Sequence, residues 1–399
     1  MDTNDLRIGF LMADPFPVGG ARTIRMTIYA KYLNKADIFF KVYVLKGTES
    51  TFPLRNSVAE GTFEGIPFEY VLGKTTWNIR HPKPVKLWLV LQGIAKAMKR
   101  IRKERINTLI INSESILYIL SFWLYCRVFG IKYLAEKSEL PFHIKLKKNR
   151  LYGYCYDKVY QCFDAMFVIS EEIRKYLQPR MRKGREIFLL PMLVDMERFE
   201  NLKKETNADY IAYCGGINND RDGIRDMFEA YRLFSENRPE VKFYFIGNCT
   251  PTVQNRDLIE YVKKQKLEEK IIFMGMRNIY EIPSLLYNAR LLLMAPDRDF
   301  NSGGFPTKLG EYLATGNPVV VTKVSDIPLF LENDKTAFLA KPGNCAEIAE
   351  AMTKVFRQPD LAAAVGKAGK RLAAEKFSFP PYLPAFTDFL RRVSAKMKS

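Results

Sequence analysis

The stretch Pro296-Asp297-Arg298-Asp299-Phe300-Asn301-Ser302-Gly303-Gly304-Phe305-Pro306-Thr307-Lys308-Leu309-Gly310-Glu311-Tyr312-Leu313-Ala314-Thr315-Gly316-Asn317-Pro318-Val319-Val320-Val321 reads as the turn, helix and second strand of one βαβ unit. Its first strand, Arg290 to Met294, ends just ahead of it. Gly303 and Gly304 let the backbone come close to a ligand, a helix opens near Thr307 and stops at Gly316, and the valine run after Pro318 suits a strand buried on both faces. Such units build open, mostly parallel sheets, in which ligands sit outside the carboxyl ends of the strands.

The same alternation runs outward in both directions. Downstream of residue 205, strands are expected at Tyr210 to Cys214, Val241 to Ile246 and Ile271 to Met274, with helices at Gly223 to Ser235, Glu281 to Tyr287 and Ala346 to Arg357. Upstream, strands are expected at Ile8 to Met12, Phe40 to Leu45, Thr108 to Asn112, Lys132 to Ala135, Ala165 to Ile169 and Glu186 to Leu190. Helices at Ala21 to Leu33, Val85 to Arg105, Ser115 to Phe129 and Ser170 to Tyr176 fill the gaps. The polar run Glu200 to Asp209 separates the two halves. The expected domains are residues 1–205, residues 206–379, and a C-terminal helix, 380–399, returning to the first domain with Phe386, Phe389 and Leu390 on one face. The fold class is α/β, two doubly wound halves facing a central cleft.

The chain has 399 residues and a formal net charge of +18, with 47% hydrophobic residues, which is ample for two cores and excludes a disordered chain. Six cysteines without a C-x-x-C pair and two histidines argue against a structural zinc site or a disulfide framework. Ile116 to Ile131, the most apolar run, contains Arg127 and falls short of the roughly 20 residues a spanning helix needs. A cytoplasmic chain, peripheral at the inner face of a membrane, is expected. The charge is uneven: residues 1–200 hold 33 Lys and Arg against 20 Asp and Glu, residues 201–399 hold 29 against 24. Basic runs stand at 96–105, at Lys145, Lys147, Lys148 and Arg150, and at 174–185. Nucleic acid, anionic lipid and a phosphorylated substrate all suit such charge.

Two strand-to-helix turns and one helix start carry the candidate chemistry. In the first half, Gly19 and Gly20 expose N–H groups at a helix start, and Arg22 and Arg25, one helical turn apart, are possible anion ligands or solvated charges. In the second half, Gly215 and Gly216 form the equivalent turn, with Arg221 placed to neutralise a diphosphate. Thr307 and Lys308 on the first turn of a helix suit a diphosphate, and Glu311, on the same face, a ribose diol. Each also has a plain structural reading: a first-turn threonine, a solvated lysine, a surface carboxylate.

The segment Gly303 to Val320 resembles the nucleotide-sugar signature of glycosyltransferase family 4, retaining enzymes of the GT-B fold. Four further segments, in the family's order, share the resemblance: 17–21, 163–170, 190–199 and 213–223. It implies transfer of a hexosyl unit from a nucleotide diphosphate sugar to a glycan acceptor, possibly polyprenyl-diphosphate-linked, without a metal or other cofactor. It also implies that Arg221 and Lys308 stabilise the leaving diphosphate and that Glu311 holds the ribose. The departures are specific. The first glutamate of the family's Glu-x7-Glu is Gly303 here, leaving the donor sugar to the backbone of Gly303, Gly304 and Phe305. An arginine common after the strand is Gly216. A histidine common in the first domain is absent from the corresponding strand end, where Glu136 or Glu139 takes its role. The bound base is expected near 247–249 and 275–279. Two alternatives stand beside this reading: a non-catalytic homologue that binds a sugar nucleotide, and a basic nucleic-acid-binding protein, for which no recognised motif accompanies the charge.

Overall fold

A computed structural model of the chain describes residues 6–50, 54–140, 157–205, 209–217, 222–250, 252, 255–297 and 305–395. The basic run at Lys145 to Arg150 lies outside them. The chain divides into two compact units, Met1–Pro191 with Phe379–Ser399, and Met192–Ser378. The first unit thus ends upstream of the polar run at 200–209.

Among the described residues the first unit holds eight strands: β1 (Arg7–Met12), β2 (Phe39–Val44), β3 (Glu60–Phe63), β4 (Ile66–Tyr70), β5 (Thr108–Asn112), β6 (Lys132–Lys137), β7 (Ala165–Val168) and β8 (Glu186–Leu189). Their order is β3-β4-β2-β1-β5-β6-β7-β8. Every pair is parallel except β3 and β4. Helices α1 (Ala21–Lys35), α2 (Lys83–Lys103), α3 (Ile116–Phe129) and α4 (Glu171–Leu177) intervene. The Ser170 hydroxyl caps α4 by accepting from the Ile173 N–H at 3.2 Å. The β3–β4 hairpin was not anticipated. Its turn is Glu64-Gly65, both at positive φ as a two-residue type I′ turn requires, and a glutamate there gives little turn signal.

The second unit holds β9 (Tyr210–Cys214), α5 (Ile224–Ser235), β10 (Lys242–Ile246), α6 (Arg256–Lys264), β11 (Ile271–Gly275), α7 (Ile282–Asn288) and β12 (Leu291–Met294). After these come α8 (Lys308–Thr315), β13 (Val319–Thr322), α9 (Ile327–Phe330), β14 (Phe338–Ala340), α10 (Cys345–Arg357) and α11 (Pro359–Leu372). Its six strands are all parallel, in the order β11-β10-β9-β12-β13-β14. The order reverses between β9 and β12, where Ala212 faces Leu292. In the first sheet the reversal lies between β1 and β5. Val319, Val320 and Val321 are buried, as a central parallel strand demands.

The chain then returns to the first unit as α12 (Leu383–Ala395). Its Phe386, Phe389, Leu390 and Val393 form one buried stripe. The Phe386 ring packs on Tyr29, Phe167 and Phe188, and Ser394 shares a 2.9 Å hydrogen bond with Thr108. No described helix is long and apolar enough to cross a membrane.

A buried ionic network lies under the same aromatic cluster. Arg25, 2% exposed, donates through Nε to Glu136 Oε1 at 2.8 Å, and through its terminal nitrogens to the carbonyls of Leu190, at 2.6 Å, and Pro191. Glu136 also accepts from the Tyr29 hydroxyl at 2.9 Å and from Asn112 Nδ2 at 3.3 Å. Burial above all, then the Glu136 charge, pushes the Tyr29 hydroxyl far above its ordinary value, so it remains a protonated donor.

Two outcomes follow for urea denaturation. Arg25→Ala leaves the Glu136 carboxylate buried without its counter-ion and lowers stability by about 3–5 kcal/mol. Phe386→Ala empties the slot between Tyr29 and Phe188 and costs a comparable ~3–5 kcal/mol; a loss below 1 kcal/mol would show that α12 contributes little to the first unit.

Candidate functional site

In the second unit the residues singled out by sequence gather at the sheet reversal, beyond the carboxyl ends of β9 and β12. Gly215 continues the ladder, its N–H donating to the Ile246 carbonyl at 2.8 Å. A Cβ there would run into the Tyr213 hydroxyl and come within 2.6 Å of Lys308 Nζ, so only glycine fits. Gly216 faces open space, with no side chain close to it. Gly223, at φ +63°, starts α5 where a Cβ would collide with the Ala295 carbonyl. Gly247, in one of the loops expected near the base, packs against the Gly215 carbonyl and donates its N–H to the Gly275 carbonyl at 2.9 Å.

Lys308 opens α8, and its ammonium is held on two sides. It forms an ion pair with Asp222, a buried carboxylate, and lies 3.1 Å from the Tyr213 hydroxyl. Tyr213 in turn donates to Asp222. Burial first, and Asp222 second, pushes the Tyr213 phenol well above its ordinary value, so it stays neutral. A quarter of the Lys308 side chain remains accessible. The cation is therefore fixed and still open to a ligand. Asp222, named in the sequence only as part of the turn, is the residue that fixes it; nothing in spacing couples positions 222 and 308.

Glu311, one turn along α8, is paired with Arg198, which also donates to the Ile279 carbonyl at 3.1 Å. Arg198 lies in the 3₁₀ turn Met196–Phe199, whose Asp195 carboxylate caps the Glu197 N–H at 3.1 Å. The segment 190–199 stands out in the sequence only through the family resemblance, and nothing in spacing couples Arg198 to Glu311. Between them stands Cys214, whose thiol is pushed up to about 12 by burial above all and then by Glu311; Lys308 and Arg198 act in the opposite sense. It is a neutral, inert thiol at ordinary pH.

The N–H groups of Leu309 and Gly310 are taken by the carbonyls of Pro306, at 3.0 Å, and Thr307, at 3.2 Å, in a tight first turn. Thr307 is the helix cap, but its hydroxyl makes no capping bond. The Phe305 ring is core, packed on Phe330 and Phe377 at 5.7 and 5.6 Å, so its backbone is the part that can face a ligand. Arg221, Gly303 and Gly304 lie outside the described residues.

In the first unit the turn after β1 is braced from below. Asn56 accepts from the Val18 N–H at 2.8 Å and donates to its carbonyl at 2.9 Å, and the Tyr70 hydroxyl bonds both polar groups of Phe16. A Cβ on Gly19 would strike the Thr23 side chain and the Pro15 carbonyl, whereas Gly20 has open space. Arg22, about a third exposed, comes within 3.9 Å of Glu139 and 4.0 Å of Asp14. Arg22 and Glu139 are thus brought together at the surface. Glu136 is not with them. Against the expectation that it takes the role of the absent histidine, Glu136 is 1% exposed and engaged by Arg25, Tyr29 and Asn112. It serves as counter-ion to Arg25 inside the unit. Among the described residues, no three His, Cys, Asp or Glu side chains converge as a metal site would need.

Residues 208–358 match the family model described as "Glycosyl transferases group 1". The Escherichia coli protein WcaL, named as a colanic acid biosynthesis glycosyltransferase, is 26% identical over 208 residues, 51% of this chain and 50% of that one. The Bacillus anthracis N-acetyl-alpha-D-glucosaminyl L-malate synthase is 22% identical over 159 residues, 39% of this chain and 38% of that one. The chain thus spans about half the length, or less, of these curated relatives. Solved structures align across nearly all of it. Sucrose-phosphate synthase from Thermosynechococcus elongatus has a TM-score of 0.76 at 16% identity, covering 98% of this chain and 99% of that one. Anabaena HepE in complex with UDP-glucose has 0.70 at 14%, covering 97% and 100%. The fold is that of the GT-B glycosyltransferases, two Rossmann-like domains on one chain, and residues 208–358 carry the sequence pattern of glycosyl transferases group 1.

Proposed function

We propose that the protein is a retaining, metal-independent glycosyltransferase that moves a hexosyl unit from a nucleotide diphosphate sugar to a glycan acceptor. The acceptor is linked to polyprenyl diphosphate and used in surface polysaccharide synthesis. The observation that carries the reading is Lys308, a cation fixed by Asp222 and Tyr213 at the sheet reversal and still partly open. Rossmann-like sheets take phosphorylated ligands at that place. The diphosphate lies against Lys308 and Arg221, with Gly215 and Gly216 giving it close backbone approach. Glu311 leaves Arg198 to accept from the ribose diol. Phe305, Gly303 and Gly304 meet the sugar through their backbone, and Thr307 lines the same edge.

As the bond from the anomeric carbon to the diphosphate oxygen breaks, negative charge grows on the leaving group and positive charge on the sugar ring. Fixed cations that need not reorganise lower that barrier. The acceptor is held by the first unit, where the Gly19-Gly20 turn, Arg22 and Glu139 are offered to its polar groups. The larger positive excess of residues 1–200 suits a phosphorylated, membrane-borne acceptor and the cytoplasmic face of an anionic membrane. WcaL, named for colanic acid synthesis, and HepE, solved with UDP-glucose, support this class of chemistry.

A second reading, sugar-nucleotide binding without turnover, is favoured by Gly303 in place of the first glutamate and by the Glu311–Arg198 pair. A thermal-shift panel of nucleotide sugars, followed by turnover with the donor that raises Tm most, separates the two. A bound donor that is neither transferred nor hydrolysed would favour the second. Lys308→Met is expected to lower kcat about 10²-fold or more; unchanged turnover overturns its assignment. Activity is expected to survive excess EDTA, and loss that added Mg²⁺ restores would overturn the metal-independent mechanism.

A further inference from the structure

We propose that α2 and α3 form a membrane-docking face that enters the headgroup region of an anionic bilayer. The inference rests on the proposed function for the acceptor it would bring within reach, but its own warrant is the surface of the first unit.

A helix covering a parallel sheet turns its apolar stripe inward and its polar side to water. α3 does not. Its inward side is apolar, with Tyr118, Ile119, Phe122 and Cys126 buried. Its outward row is apolar too: Leu117, Leu120, Leu124 and Val128 recur at the three- and four-residue spacing of one helix face, and Leu124 and Val128 are 60% and 67% exposed. α2 runs alongside in the same direction. The Tyr125 hydroxyl donates to the Met98 carbonyl at 2.8 Å, and one turn later the Arg102 guanidinium stacks 4.7 Å over the Phe129 ring. Counting back two turns from Met98 along that edge of α2 reaches Leu91 and then Leu87 and Trp88, all exposed, Trp88 by 60%. By the same register Leu91 lies level with residue 118, and Leu87 and Trp88 with residues 114 and 115, so the exposed apolar residues of α2 extend the row of α3 past its N-terminal end as one strip. A strip of this kind is far more than the scattered surface leucines of a soluble domain.

The margin of the strip selects its occupant. On the flank of α2 turned toward the β3–β4 hairpin, Lys96, Lys99 and Arg100 line a recess of about 530 Å³ with Glu60 and Glu69; Arg100 is paired with Glu69 at 2.9 Å, and Lys96 and Lys99 are exposed. A second copy of the chain docked through the same face would bring together two first units of like charge, residues 1–200 holding 33 Lys and Arg against 20 Asp and Glu. An anionic bilayer meets both features at once, with the apolar strip among the upper acyl carbons and the lysines among the phosphates. Trp88, at the border between them, has the amphipathic ring that favours such an interface.

Flotation of the full chain tests this, with vesicles of phosphatidylcholine alone and of phosphatidylcholine with phosphatidylglycerol. The expected result is binding to the anionic vesicles, falling steeply with salt, and reduced roughly tenfold or more by Leu120→Gln with Leu124→Gln. Both positions are exposed, and circular dichroism and Tm check that the fold is kept. Brominated lipid should quench wild-type fluorescence more than that of Trp88→Phe. Unchanged vesicle binding by the double variant overturns the proposal. So does a concentration-dependent dimer that the same substitutions dissociate, which would assign the strip to a second copy. Nucleotide-sugar thermal shifts, measured on the same samples, report the catalytic reading separately: their absence alongside intact vesicle binding would remove that reading and leave the docking face standing.

Discussion

A parallel strand buried on both faces can offer polar chemistry only beyond its last residue, and that constraint arranges both units. Within β9 and β12 the side chains are needed for packing, and the ladder consumes the backbone. At the reversal of strand order the neighbouring connections diverge, so the ends of two strands share one open edge. Tyr213, Gly215, Asp222 and Lys308 collect there because the topology leaves them no other place. The glycines are the geometric counterpart: Gly215, Gly223 and Gly247 sit where backbone approaches backbone or a polar head so closely that a methyl group would not fit.

The two units use buried charge differently. Arg25 and Glu136 are both almost wholly buried, and every strong donor and acceptor they carry is answered from within the first unit. Such a network is costly to open and offers nothing to a ligand. Lys308 and Asp222 are matched unequally, with the carboxylate buried and the ammonium partly exposed. A partner arriving from solvent can share the cation without stripping the anion of its hydrogen bond from Tyr213. The same ion-pair chemistry thus serves as framework in one place and as a prepared contact in the other, and the difference lies in which member reaches the surface.

Much of the architecture was legible because apolar periodicity and strand-to-helix turns are local signals. The βαβ unit around residues 290–321 and most strands of both sheets fall within a residue or two of their expected positions. Among what escaped, Phe338–Ala340 is too short to show a period, the β3–β4 hairpin is closed by a turn of weak signal, Glu64-Gly65, and the helices Arg256–Lys264 and Pro359–Leu372 were not expected either. The site was legible by residue type and not by pairing. Lys308 and Glu311 stood out on a first helical turn, but Asp222 and Arg198, which hold them, are distant in sequence, and nothing in spacing couples either pair. Glu136 shows the reverse error. A glutamate near a strand end looked available, and only the fold reveals an arginine from α1 already seated on it.

The first unit draws its last helix from the far end of the chain, whereas the second is continuous from Met192 to Ser378. During synthesis the residues of the second unit are complete before α12 is made, and the slot formed by Tyr29, Phe167 and Phe188 stays vacant until α12 follows. The unit begun first is therefore completed after the second, and until α12 arrives its unfilled aromatic groove is exposed apolar surface of the kind chaperones cover.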